Sequence, residues 1–131
     1  METKKLMTKI TIPDITVSLN LLLNLSKTHW SAYHRTQKSI VSGLTLYLKS
    51  RNIKSVTEYP VKITVRYFVS SRRIDPDNLC SIRKLWMDSL VKSGILKGDS
   101  WQFISPPFVD YWEVDKTNPR IEIEVEERRM M

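Results

Sequence analysis

The sequence has 131 residues and a mass of 15.4 kDa, the usual size of one domain. It holds 21 Lys and Arg residues against 14 Asp and Glu residues, so its net charge is +7 and its pI is about 9.6. The one cysteine excludes an internal disulfide or a zinc finger, and no apolar run could span a bilayer. The first residues also lack the apolar stretch of a signal peptide. We expect one domain over residues 1–131, cytoplasmic and with no membrane partner.

The first half of the chain predicts a strand followed by a long helix. Residues 6–12 are rich in β-branched side chains and end at Pro13, which indicates an opening strand. Residues 15–24 are apolar but follow neither the helical nor the strand period. From residue 30 to residue 51, apolar side chains recur at helical spacing, with Asn52 as a stop signal.

The second half predicts a strand, a helix and further strands. Residues 60–70 alternate regularly between apolar and polar side chains, and residues 78–92 have a helical apolar face. Residues 101–112 predict one or two strands interrupted by two prolines, and residues 120–126 predict a half-exposed strand with an acidic outer face. The order β-α-β-α-β-β predicts an α+β fold, with a mixed sheet and two main helices on one side of it.

Three aspartates surround the second predicted helix of this basic chain. Asp75 and Asp77 immediately precede it, and Asp99 lies in the loop that follows it. Two carboxylates in one short loop can converge on a cation, and Asp99 could join them if the chain returns beside the preceding strand. Oxygen ligands without Cys or His suit Mg²⁺ or Mn²⁺, and metal ions held by carboxylates promote phosphodiester hydrolysis.

A structural alternative explains the same residues. Asp75 before Pro76 is a good helix N-cap, and Asp77 adds a favourable charge to the first helical turn. If capping were their only role, the chain would be a non-catalytic nucleic-acid-binding module.

The basic residues indicate a polyanionic partner. Residues 1–58 hold nine Lys and Arg residues against three acids, whereas the remainder is nearly balanced. Such an excess favours binding to a phosphate backbone without reading its sequence. The candidate DNA contacts are Arg72, Arg73, Arg83, Arg35, Lys38 and His29.

Three motifs in the middle of the chain resemble a known family. Residues 73–79 read R-I-D-P-D-N-L, residues 84–90 read K-L-W-M-D-S-L, and residues 94–99 read G-I-L-K-G-D. Together with the strand at residues 61–69, they resemble the RusA-type Holliday junction resolvases. Chain length and element order are also similar to those of that family.

The resemblance implies a Mg²⁺-dependent homodimeric endonuclease that cuts four-way DNA junctions with paired symmetric nicks, in DNA recombination and repair. Such proteins are often encoded by phages or prophages and use no small-molecule cofactor; Mn²⁺ could replace Mg²⁺. Residue by residue, Asp75, Asp77 and Asp99 would be the metal ligands, and Lys84 would match the family's catalytic lysine. Flaps and replication forks are alternative substrates for the same chemistry.

The sequence departs from the family pattern at two places. The helix is about three residues longer, so Lys84 matches when counted back from Asp88, whereas Ser81 matches when counted forward from Asp77. Arg83 is therefore a rival for the role of the lysine. The family's acidic pair is reduced here to Gly98-Asp99, which keeps the acid that the family places at the metal.

Overall fold

A mixed sheet and a layer of helices form the part of the chain that the structure, a computed structural model, describes: residues 3–13, 30–72 and 76–130. The elements in chain order are β1 (Thr3–Pro13), α1 (Trp30–Ser50), β2 (Lys62–Val69), α2 (Pro76–Ser81), α3 (Arg83–Lys92), β3 (Val109–Val114) and β4 (Arg120–Met130). The apolar residues 15–24 lie outside the described ranges.

The sheet has four strands in the order β1-β4-β2-β3. Strand β4 pairs antiparallel with β1 on one side and with β2 on the other, and β3 pairs parallel with β2. The predicted α+β class, the mixed sheet and the order of elements are confirmed. Because β3 is parallel to β2, their connection must cross over the sheet, and α2 and α3 form that crossover.

One face of the sheet is apolar because its strands alternate with a period of two. The register aligns Ile10 with Ile123 and Ile123 with Val65, and all three are at most 1% exposed. The opposite face carries charged side chains, among them Arg66, whose Nη1 donates to Glu124 Oε1 at 3.2 Å.

Helices α1 and α3 cover the apolar face. Val41 and Leu48 of α1 share one buried cluster with Trp86 and Leu90 of α3. Trp86 is fully buried, and its Nε1 donates to the hydroxyl of Tyr67 at 3.3 Å. Truncating a buried aromatic side chain typically costs about 3–5 kcal/mol, so this contact holds the crossover firmly on the sheet.

The second helix differs from the continuous one expected over residues 78–92, because it divides at Ile82. The N–H of Ile82 donates to the carbonyl of Leu79 at 3.2 Å, a three-residue turn that is tighter than an α-helical one. The side chain of Ile82 is 4% exposed, so the residue at the division remains in the core.

The other elements agree with expectation within a few residues. Helix α1 ends at Ser50, and Asn52 has a φ of 54°, the left-handed conformation of a helix stop. The region at residues 101–112 forms one regular strand, which begins after both prolines at Val109, while Ile104 makes an isolated bridge with Val61. None of the helices in the described ranges is both long and apolar enough to cross a membrane.

Candidate functional site

The predicted site residues fall into two groups. Asp75, Arg73 and His29 lie outside the described residues, so their placement stays a prediction. The others are described, and all of them except Arg83 are exposed: Asp77, Asp99, Lys84, Arg72, Arg35 and Lys38.

Asp77 lies near the C-terminal end of β2, in the first turn of α2. Pro76 begins this helix, which suits proline because the first helical N–H has no partner within the helix. Among the residues that the structure describes, none donates a hydrogen bond to the Asp77 carboxylate. An exposed carboxylate that accepts from no described donor is available to a cation.

Asp99 returns beside the strand as expected, but at the end of β2 that is remote from α2 and Asp77. The N–H of Val56 donates to the carbonyl of Ile95 at 2.9 Å, and the N–H of Lys97 donates to the hydroxyl of Tyr59 at 2.9 Å. Residues 95–97 therefore lie beside the segment that precedes β2, at the opposite end of that strand from α2. From there the chain brings Asp99 against the first half of α3.

Asp99 and Lys84 share one surface depression, which we call the Lys84 depression. Its volume is about 350 Å³. It is lined by Arg83, Lys84, Met87, Asp99, Ile104 and Phe108. Asp77 is not among these described lining residues, and the division at Ile82 separates its helix from that of Lys84.

Arg83, which lines the Lys84 depression, is held in place by two neighbours. Its guanidinium forms an ion pair with Asp110, and it lies 4.0 Å from the ring centroid of Phe108. The side chain of Asp110 is 13% exposed. The sequence analysis did not identify Asp110, because its place on the helix-covered face follows from its register opposite Val65 of β2.

Lys84 differs from Arg83 because it has no such partners. Its side chain is exposed, and no ion pair joins it to Asp88 or to any other residue in the described ranges. Of the two rivals for the lysine's role, Lys84 therefore has the cation that is available to an anionic ligand.

The predicted metal site lies only partly within the described residues. Across residues 3–13, 30–72 and 76–130, no three His, Cys, Asp or Glu residues form a group that could hold a metal ion. Asp75 lies outside these ranges, so the set of three aspartates stays a prediction. The donor chemistry of its described members, two exposed carboxylates, suits Mg²⁺.

Gly98 has a packing role beside Asp99. A Cβ atom built at this position would lie 2.6 Å and 2.7 Å from two ring carbons of Phe103. That ring makes an edge-on contact with Tyr59, with their centroids 5.3 Å apart. An acidic residue in place of Gly98 would therefore have to displace a packed aromatic ring.

The turn between β3 and β4 fixes the end of β2 near Asp77. The N–H of Asp115 donates to the carbonyl of Val69 at 2.8 Å, and the Asp115 carboxylate accepts from Thr117, Asn118 and Arg120. The Arg120 guanidinium, at 2.9 Å, is the main reason that the pKa of Asp115 is below its ordinary value of 3.8. Hydrogen bonds to Glu122 and Asp115 in turn raise the pKa of Arg120.

Comparison with protein-family models finds none that matches this chain, and comparison with curated proteins finds no significant match.

Proposed function

We propose that this protein is a Mg²⁺-dependent endonuclease that cuts four-way DNA junctions with paired symmetric nicks. The Lys84 depression is the observation that carries the proposal, because Asp99 lines it together with Lys84, whose side chain is exposed and available to an anionic ligand. An acid that can hold a metal ion, next to cations that can neutralise phosphate, is the pairing that phosphodiester hydrolysis requires. The three motifs that resemble RusA-type resolvases support the same assignment.

Each described residue has a role in this proposal. Asp75, Asp77 and Asp99 are the proposed Mg²⁺ ligands, and a bound ion would activate water and stabilise the charge that develops on the phosphate. Because Asp99 lies at the other end of β2 from α2, one shared ion would require Asp77 and Asp99 to come closer than they are in this structure. Lys84, which is exposed, would neutralise the scissile phosphate. Arg83, whose charge is paired with Asp110, would form a fixed wall of the depression.

The basic surface outside the depression positions the DNA. Arg72, Arg35 and Lys38 are exposed and can contact phosphates without selecting a sequence. A homodimer is part of the proposal, because two copies related by a two-fold axis match the symmetry of a four-way junction.

Cleavage of a synthetic four-way junction tests the proposal. A linear duplex of the same sequence is the substrate control, and each reaction is run in Mg²⁺ and in EDTA. We expect symmetric nicks in the junction only when Mg²⁺ is present. Cleavage of flaps or forks in preference to junctions would change the substrate, and tight binding without cleavage of any of them would indicate the non-catalytic binding module.

A further inference from the structure

A second surface depression lies at the end of β2, bordered by the first residue of α2, and it plays no part in the chemistry described above. Its volume is about 560 Å³, within the range of small-ligand sites. Val69, Leu79 and Val114 supply apolar walls, and Pro76, which borders it, is the neighbour of Asp77 in the chain. We call it the Trp112 depression, after its largest aromatic side chain.

Trp112 is unusually open for a residue on the apolar face of the sheet. Its register opposite Tyr67 puts it on that face, but β3 is an edge strand, and Trp112 is 51% exposed. Its neighbour Tyr111 is equally exposed, at 52%, on the opposite face, where Arg66 lies 5.0 Å from its ring centroid. The Trp112 ring therefore offers a large aromatic surface inside a concave site.

Charged groups border this aromatic surface. Arg72 is exposed and lines the depression together with Glu113. A ligand that combines a flat ring with an anionic group complements Trp112 and Arg72, provided that the anion lies on the side of Arg72 and away from Glu113. An unpaired nucleotide has this combination of a base and a phosphate, and the net charge of +7 favours such a polyanion.

We propose that the Trp112 depression binds an unstacked base of a DNA strand, with the base stacked on Trp112 and its phosphate on Arg72. This inference rests on the proposed function, and it places the unstacked base beside Asp77. Bases at the branch point of a junction are the most easily unstacked, so the depression would help to position the strand at the metal site.

The experiment measures binding in EDTA, so that it does not depend on cleavage. The probes are two labelled single strands of about twelve nucleotides, a length that fits the usual sites for single-stranded DNA. One strand carries normal bases and the other is abasic in its central part. The affinity ratio of the two probes, read by fluorescence anisotropy, reports base stacking separately from phosphate binding.

Trp112→Ala is the test variant, and Tyr111→Ala is its matched control on the same strand. Trp112→Leu keeps apolar bulk without an aromatic plane, in case the alanine variant folds poorly. We expect both Trp112 variants to lower the affinity ratio about tenfold, whereas Tyr111→Ala leaves it unchanged. Arg72→Ala should weaken the binding of both probes similarly.

The proposal is overturned if the Trp112 variants leave the ratio at the wild-type value, or if Tyr111→Ala lowers it equally. The outcome is separable from the proposed function. If the wild type cuts no junction but the Trp112 variants lose base-dependent binding, the base site is supported and the nuclease assignment is rejected. If the wild type cuts junctions but the Trp112 variants leave the affinity ratio unchanged, the nuclease assignment is supported and the base site is rejected.

Discussion

Two adjacent cations in the Lys84 depression have different environments. Arg83 pairs with the largely buried Asp110 and stacks on Phe108, whereas Lys84 is exposed and has no ion pair with any described residue. Removing Arg83 would leave a carboxylate unpaired in a mostly buried position, which is costly. Removing the Lys84 side chain should change the free energy of unfolding little. Truncation to alanine therefore tests a functional role at Lys84, whereas at Arg83 it would also destabilise the fold.

We therefore expect Lys84→Ala to slow junction cleavage by about a hundredfold or more, because it removes the cation that faces the phosphate. The free energy of unfolding should change by less than about 0.5 kcal/mol. Lys92→Ala, at an exposed position on the same helix, is the control for loss of surface charge. Similar losses of cleavage in both variants would show that Lys84 acts only through the net positive charge of the protein.

A second residue-scale prediction concerns Gly98. Gly98→Ala should lower the free energy of unfolding by about 1–3 kcal/mol, because the added methyl group meets the Phe103 ring. Gly43→Ala is the matched control: nothing lies within 4 Å of its Cβ position, and helix α1 should gain about 1 kcal/mol. Chemical denaturation measures both. Equal effects at the two glycines would contradict the packing role of Gly98.

At the scale of elements, the sequence predicted those helices and strands whose buried face is defined by a local pattern of apolar residues. The alternation of residues 60–70 and the helical spacing of residues 30–51 each define one buried face, and β2 and α1 formed as expected. The division of the second helix at Ile82 depends on the fit of two short helices to the sheet, which no local pattern contains. Asp110 was missed for a related reason, since strand register decides which face it occupies.

The turn between β3 and β4 gives a prediction for pH dependence. The pKa of Asp115 is lowered mainly by Arg120, so the charged form is favoured in the folded state. Its contribution to stability is therefore complete above the ordinary value of 3.8 and is lost as the pH falls through the lowered pKa. The free energies of unfolding of the wild type and Asp115→Asn, measured in urea, should differ by a constant amount above about pH 5. This difference should shrink below about pH 4. A difference independent of pH would contradict the role of this ion pair.

At the scale of the whole molecule, the fold explains how one short sequence region could serve several tasks. The crossover from β2 to β3 carries Asp77 at one end of β2, Lys84 in its second helix, and Asp99 in the loop that returns. The order of elements could be predicted from the sequence, but the spatial order of the strands could not, because pairing depends on contacts distant in the chain. Lys84 and Asp99 line one depression because of such contacts. The convergence of Asp75 and Asp77 on one cation stays a prediction.

The most direct test of the account compares junction binding with junction cleavage in Asp77→Asn. Asp77 lies in the first turn of α2, so a purely structural role predicts a loss of stability of about 0.3–1 kcal/mol with unchanged binding and function. A metal ligand predicts that binding in EDTA is kept or strengthened, because a negative charge is removed, while cleavage in Mg²⁺ falls by about a hundredfold or more. Glu58→Gln, at an exposed acid in the segment before β2, is the control and should cut at the wild-type rate. Wild-type cleavage by Asp77→Asn would contradict the metal site on which the proposed function depends.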